Sequence, residues 1–325
     1  MKFTEKMLES YSEPLSATEE RQCKNAIAMV RDALKALGFT DDNKEIQKLY
    51  ENTLAYSFML RNVDNKRRIK LLVQGSYANN TNVKTQSDVD IAVIQEETFR
   101  TLYRSGYMET QSDADYGFST VQNKDKSFKD EVEECLISKF GKDVERKNKS
   151  IKIHGNSYRK DADSVPCMRH RDYTRDYRKD ANNFVGGIVI FPDDGSKPII
   201  NYPEQHIKNG REKNVSTHTY YKKMVRIMKK MRYLMQEYKL TVPDSISSFA
   251  LESLLWNIPD EEYLEYGQYR KVYMFDHIIK YLRNHSNDFS GYKEANGIKI
   301  LFPTEREIAA INIFLENLSV FYEYE

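Results

Sequence analysis

Val73-Gln74-Gly75-Ser76-Tyr77-Ala78-Asn79-Asn80-Thr81-Asn82, and then Ser87-Asp88-Val89-Asp90-Ile91-Ala92-Val93-Ile94, decide the reading of this chain. Ile69 to Val73 is an apolar run that predicts a strand, and Gly75-Ser76 breaks it. Val89 to Ile94 is β-branched and apolar, the pattern of a mostly buried strand. Asp88 and Asp90 stand two apart near its start, so both point to one face with backbones about 6.6 Å apart. Two carboxylates aimed at one spot repel by ~3 kcal/mol at ~5 Å and an effective dielectric of ~20. Divalent cations cancel that repulsion, and a pair of them about 3.5–4 Å apart serves in-line displacement at phosphorus. The Gly75-Ser76 turn offers backbone N–H groups and a hydroxyl suited to nucleotide phosphates.

Working outward, 325 residues suffice for one large domain or two lobes with a substantial core. Lys+Arg 50 against Asp+Glu 49 excludes a global basic excess, so stable nucleic-acid binding is not expected. Cys23, Cys135 and Cys167 are widely separated and odd in number, which argues against a disulfide framework or a zinc ribbon. The N-terminus lacks the apolar core of a signal peptide and no run approaches 18 apolar residues, so a soluble cytoplasmic protein without membrane association is expected.

Residues 16–38 predict a helix with the stripe Ile27, Val30, Leu34 and Leu37, stopped by Gly38. A second helix is expected over 43–61, with the basic cluster Arg67-Arg68 beyond it in solvent. Residues 96–130 are polar, and Asp113 and Asp115 read as solvent-facing loop residues. Phe128, Val132, Leu136 and Phe140 mark a helix over 127–140. Ser150 to His154 alternates as a strand does, with His154 structural rather than a ligand, and 161–167 is strand-like. Arg169 to Asp180 mixes charge and tyrosine and reads as an exposed loop. Gly186 to Tyr202 reads as a hairpin about Pro192–Gly195. In 220–238 the residues Met224, Ile227, Met228, Met231, Leu234 and Met235 form an apolar stripe, with Lys222, Arg226, Lys229 and Tyr233 on the far side, where the bland reading is a solvated face. Further helices are expected over 245–256, 260–290 and 304–322.

Strand, Gly-Ser, and Asp-x-Asp inside an apolar strand together resemble the signature of the nucleotidyltransferase β superfamily. Gln74-Gly75-Ser76-Tyr77 with Asn80-Thr81-Asn82 and Ser87-Asp88-Val89-Asp90 resembles the bacterial cGAS/DncV-like nucleotidyltransferases of antiphage CBASS systems. Ile200-Asn201-Tyr202-Pro203-Glu204-Gln205-His206, Tyr221-Lys222, Val225-Arg226-Ile227-Met228-Lys229 and Leu251-Glu252-Ser253-Leu254-Leu255-Trp256 resemble clade E. The resemblance implies an α+β, two-lobed fold. A mixed β-sheet palm lobe would lie in 1–203, a helical C-terminal lobe in 204–325, and a long N-terminal helix would span both. It implies two Mg²⁺ or Mn²⁺ ions held by Asp88, Asp90 and a third carboxylate, for which Asp163 is favoured over Asp161. Gln74, Gly75, Ser76, Lys229 and Ser248 would hold the donor triphosphate. The reaction would be sequential nucleotidyl transfer from UTP and ATP to a pyrimidine-containing cyclic dinucleotide, cUMP-AMP or cyclic di-UMP, read by a downstream effector. An asparagine at the position of Asn201 goes with uracil selection, since a carboxamide offers a donor and an acceptor to match those of uracil. The alternatives are a nucleotidyltransferase that modifies RNA or a protein, and a catalytically idle interaction module.

Overall fold

The computed structural model describes residues 3–41, 47–50, 53–62, 64, 66–83, 88–106, 110–121 and 126–322. The chain begins with α1 (Glu5–Ser12) and α2 (Ala17–Leu34), then β1 (Thr40–Asp41), β2 (Gln47–Lys48), β3 (Tyr56–Asn62) and β4 (Arg67–Gln74). The one-turn helix α3 (Gly75–Ala78) leads to β5 (Val89–Leu102) and α4 (Phe128–Phe140). Next come β6 (Val144–Arg146), β7 (Ile151–Ile153), β8 (Ala162–Asp172), β9 (Val185–Ile190) and β10 (Ile199–Asn201). The remainder is helical, with α5 (Pro203–Ser216), α6 (Tyr220–Glu237), α7 (Ser248–Trp256), α8 (Asp260–Gly267), α9 (Lys271–Asn284) and α10 (Glu305–Tyr322).

These elements form two compact units. The sheet unit comprises Ala17–Gln74 and Asp88–Glu204, and the helical unit comprises Met1–Ser16, Gly75–Ser87 and Gln205–Glu325. A division at 203/204 therefore differs from the packing in two places, because the described residues 3–16 and 75–83 precede it yet group with the helices. The reason lies in Arg226 of α6, whose Nε donates to the Ser12 carbonyl (2.6 Å) and whose Nη1 donates to the Asn80 carbonyl (2.5 Å). The N-terminal helical region is likewise two helices, α1 grouped with the helical unit and α2 with the sheet unit, rather than one continuous span.

In the sheet unit the strands run in the order β1-β3-β4-β5-β8-β7-β6, with β2 beside β3 and the β9–β10 hairpin attached to β8. Its centre is apolar because β4 and β5 are: Ile69, Leu71, Leu72, Val73, Val89 and Ile91 to Ile94 are fully buried. β4 and β5 are antiparallel with Gln74 opposite Asp90. β5 and β8 are parallel with Asp90 opposite Asp163, and β7 places Lys152 opposite Asp163 on the far side. Pro166 lies inside β8 without breaking it. β7 pairs with β8 only as far as Ser164 and β9 only from Met168, so no ladder bond is asked of the missing N–H.

Several expectations change. The helix expected over 43–61 is instead β2 and β3 where it is described; 43–46, 51 and 52 lie outside the described residues. The run Tyr56 to Leu60 has one face buried against the sheet, and tertiary pairing with β4 overrides local propensity. Arg67 opens β4 half-buried, against Glu131 (2.5 Å), rather than standing in solvent. The polar stretch after Gln95 continues β5 to Leu102, since β8 runs alongside it past a bulge between Gln95 and Phe99. For the same reason Arg169 to Asp172 is strand, with Arg169 and His170 buried. Asp113 and Asp115 occupy a 3-10 turn in which Asp113 accepts from Tyr103 (2.6 Å) and Asp115 caps the turn at Ser112. The helix over 127–140 forms as expected, because Ser127 and Asp130 cap each other reciprocally.

In the helical unit, Met224, Ile227, Met228, Met231 and Met235 are buried with residues of α7, α9 and α10. The opposite face of α6 is not solvated: Lys222, Arg226 and Lys229 are all buried. The first half of this helix is covered all round, so its charges must be met from inside the unit. Among the described residues no helix is long and apolar enough to cross a membrane.

Candidate active site

Three carboxylates share one end of the sheet. Asp90 and Asp163 are register partners on parallel strands, and Asp88 precedes Asp90 by two on the same face. Burial pushes the half-buried Asp90 carboxyl up to about 7, with the negative charges of Asp163 and then Asp88 adding to the shift. Asp163 is raised too, first by burial and then by Asp88. Asp90 and Asp163 thus both feel neighbouring negative charge, the mark of an anionic site whose charge is only partly compensated.

The compensation present comes from Lys152, whose Nζ donates to Asp88 (3.0 Å) and pairs with Asp161 (2.8 Å). Ser150 donates to Asp163 (3.2 Å). Asp161 also accepts from the Gly155 N–H (2.6 Å) and is held below the usual carboxylate range by Lys152 and that bond, in spite of burial. Asp163 sits beside Asp90, whereas Asp161 is tied to Lys152 and the 155 turn. Clustered carboxylate oxygens of this kind fit a hard divalent cation in chemistry and charge. As the side chains stand, no three His, Cys, Asp or Glu among the described residues are placed to hold one ion, and Asp88 is engaged by Lys152 and Asp163 by Ser150. A cavity of about 480 Å³ elsewhere in the sheet unit, with Arg100, Phe128 and Phe191 in its wall, contains none of these carboxylates.

Gly75 follows Gln74 directly along the chain and begins α3 with φ +71°, a conformation that favours glycine. Under α3 lies a buried network. Lys229 Nζ donates to Ser76 Oγ (3.0 Å), Thr81 Oγ1 (3.0 Å) and Glu252 Oε2 (2.7 Å). Thr81 Oγ1 also donates to Glu252 (2.6 Å), and His206 Nε2 lies 3.0 Å from the other Glu252 oxygen. Burial opposes ionisation of Glu252, but Lys229 and then His206 hold its carboxyl well below the usual range. A carboxylate only accepts, so His206 Nε2 donates to Glu252, and the Asn79 Nδ2 amide lies 3.0 Å from the same ring nitrogen.

Ser248 is the first residue of α7, capped by Ser247, and its hydroxyl meets the Tyr233 hydroxyl at 3.2 Å. Asn201 ends β10 opposite Ile188, half-buried, and its carboxamide has no hydrogen-bond partner among the described residues. Thr81, His206 and Glu252 enter the sequence reading only as residues of the family motifs, with no role assigned, and Lys152 has no role there at all. Glu252 did carry a signal, being a lone carboxylate in the apolar run Leu251 to Trp256. Lys152 carried a weaker one, the polar residue between Ile151 and Ile153.

Two family models match: a nucleotidyltransferase domain over residues 59–156, and the cGAS/DncV-like nucleotidyltransferase C-terminal helical domain over 208–323. The chain is 42% identical, over all of its length and 98% of the relative's, to the cyclic GMP-AMP synthase CdnE03 of Staphylococcus schleiferi. It belongs to the cGAS/DncV-like nucleotidyltransferases. The cyclic dipyrimidine nucleotide synthase CdnE of Cecembia lonarensis is 34% identical over 90% of this chain and 88% of that one. A solved structure of the Elizabethkingia meningoseptica CdnE cyclic dinucleotide synthase with GTP and Apcpp matches with a TM-score of 0.73 at 29% identity, covering 99% of this chain and 100% of that one. The α+β fold expected of the family, mixed sheet plus helical C-terminal part, is the one found, and the chain is a nucleotidyltransferase enzyme.

Proposed function

We propose that this nucleotidyltransferase joins two nucleoside triphosphates and closes them into a pyrimidine-containing cyclic dinucleotide, cUMP-AMP or cyclic di-UMP. The product would signal to a cyclic-dinucleotide-sensing effector in cytoplasmic antiphage defence. The observation that carries the reading is the register pairing of Asp90 with Asp163 beside Asp88, on the strand next to the one that leads into Gly75-Ser76. Relatives named as cyclic dipyrimidine and cyclic UMP-AMP synthases support cyclisation.

In this reading Asp88, Asp90 and Asp163 hold two Mg²⁺ or Mn²⁺ ions, which supply charge neutralisation at the reacting phosphate and a more acidic attacking 3′-hydroxyl when bound. Asp88 exchanges Lys152 for that role, and Lys152 keeps Asp161 as its partner. Gln74, the Gly75 backbone, the Ser76 hydroxyl and Ser248 bind the triphosphate of ATP or UTP. Asn201 reads the base, which its unengaged carboxamide supports. Such a pair of hydrogen bonds discriminates by ~1–3 kcal/mol, so Asn201→Ser is expected to reduce uridine incorporation about tenfold against purines in competition. Unchanged UTP use would count against Asn201.

A purine product is a second reading, favoured by the 42% identical relative being named a cyclic GMP-AMP synthase. Chromatography of products from all four NTPs with Mg²⁺ or Mn²⁺ decides. A phosphatase-resistant product containing uridine is expected. A product of guanosine and adenosine alone would replace the pyrimidine reading, and label appearing in RNA or protein would replace cyclisation itself.

A further inference from the structure

The cavity of about 480 Å³ in the sheet unit has the volume of a small-molecule site and lies apart from the carboxylates. Gln95 of β5 and its register partner Met168 of β8 are both in its lining. Asp90 stands five residues before Gln95 on the same strand, about 17 Å away along extended backbone. The bulge between Gln95 and Phe99 falls at this place, and a bulge re-aims side chains out of a regular ladder. Pro166, Met168, Phe128 and Phe191 give the cavity apolar surface.

The charges in the lining are answered with one exception. Arg67 pairs with Glu131 (2.5 Å) and Lys126 with Glu134. Lys129 donates to Asp193 (2.8 Å) and to the carbonyls of Lys147 and Asn148 (2.7 and 2.9 Å), so its three N–H bonds are used. The Arg100 guanidinium has neither a hydrogen bond nor an ion pair among the described residues, and its carbon lies 5.6 Å from the centre of the Phe191 ring. Thr98, also in the lining, accepts from Gln95 (3.1 Å) and gives its hydroxyl proton to no acceptor among the described residues. Free donors and one surplus positive charge beside apolar surface define a ligand. A single acid group matches the guanidinium fork. A polyphosphate would instead bring several negative charges to a lining with one unanswered cation.

We propose that this cavity binds a small, singly charged organic acid, with its carboxylate on Arg100 and Thr98 and its apolar body against Phe128, Phe191 and Met168. The site is distinct from that of the nucleotide.

The probes are 8-anilinonaphthalene-1-sulfonate, whose sulfonate stands in for the carboxylate, and N-phenyl-1-naphthylamine, the same body without the acid. Both brighten on leaving water, so each is titrated by fluorescence into the full chain. The sulfonate is expected to bind with Kd on the order of 10–100 μM, the usual efficiency for a ligand of its size. Arg100→Gln should weaken it about tenfold, the loss of a charge-assisted hydrogen bond, and change the neutral probe by less than about twofold. Arg306→Gln, at an exposed arginine of α10, should leave both unchanged. Unaltered sulfonate affinity in Arg100→Gln would overturn the proposal, as would an equal loss in Arg306→Gln, which marks a general effect of charge. Displacement by ATP with Mg²⁺ would place the probe in the nucleotide site and overturn it too. A structure of the unaltered chain with the sulfonate needs no variant to fold. A sulfonate oxygen within hydrogen-bond distance of the Arg100 guanidinium is expected, and a cavity without the probe would overturn the proposal.

Discussion

Asp90 and Glu252 are both carboxylates on otherwise apolar elements, one at the end of a sheet strand and the other inside a helix, and their proton affinities move in opposite directions. Burial pushes Asp90 up to about 7, with Asp163 and Asp88 adding to it. Burial acts on Glu252 as well, yet Lys229 and His206 more than offset it and keep the group ionised. Around Glu252 the helical unit therefore settles buried charge among its own side chains, whereas the sheet unit leaves negative charge only partly met by Lys152. A carboxylate whose charge is balanced internally gains nothing from a cation, whereas one left short of positive charge does.

The contrast is tested most strongly at Asp90. Asp90→Asn is expected to lower product formation about 100- to 1000-fold, the usual effect of removing one electrostatic stabiliser. Its folded pKa lies near 7 and above the ordinary 3.8, so the ionised group opposes folding increasingly from about pH 4 and fully above pH 7. In chelator, Asp90→Asn should therefore melt higher than the parent, by more at pH 8 than at pH 5. Activity within threefold of the parent, or a lower melting temperature at pH 8, would erase the difference between the two sites.

Glu252→Gln should act in the opposite sense on stability, destabilising by about 3–5 kcal/mol because it leaves the Lys229 ammonium buried without its counter-charge. Denaturant unfolding measures this, and a loss below about 1 kcal/mol would show that the network is not closed. Lys222 sharpens the comparison from within the helical unit. Its Nζ is buried with no hydrogen-bond partner among the described residues, and burial lowers it to about 8 even though Glu252 opposes the shift. The folded state then holds fewer protons than the unfolded chain between about pH 8 and 10.5, so stability rises across that window and is lowest below it. Lys222→Met should stabilise the fold by about 3 kcal/mol at pH 7, because the buried ammonium is lowered to about 8, and by little above pH 10. A gain that does not shrink with pH would exclude the charge as its cause.

Much of this was legible in the sequence because it depends on local pattern. Val89 to Ile94 could only be a buried strand, period two put Asp88 and Asp90 on one face, and the Gly-Ser break fixed where β4 had to end. What stayed hidden depends on which distant strand lies alongside. Nothing near Tyr56 says that β4 will pair with it, and nothing near Arg169 says that β5 continues beside it. The lysines of α6 misled for a related reason. Their face looks like a solvated stripe until a carboxylate 23 residues further on and the 76–81 turn are folded against Lys229.

The Arg226 clamp bears on how the molecule is made. Its two carbonyl partners, Ser12 and Asn80, leave the ribosome 214 and 146 residues ahead of it. At ~5–20 residues per second the Asn80 carbonyl waits roughly 7–30 s for its guanidinium. The turn that carries Asn80 therefore gains its fixed shape only after α6 has emerged. Chains arrested before α6 emerges should be cut by protease within 75–83, while released chains resist there.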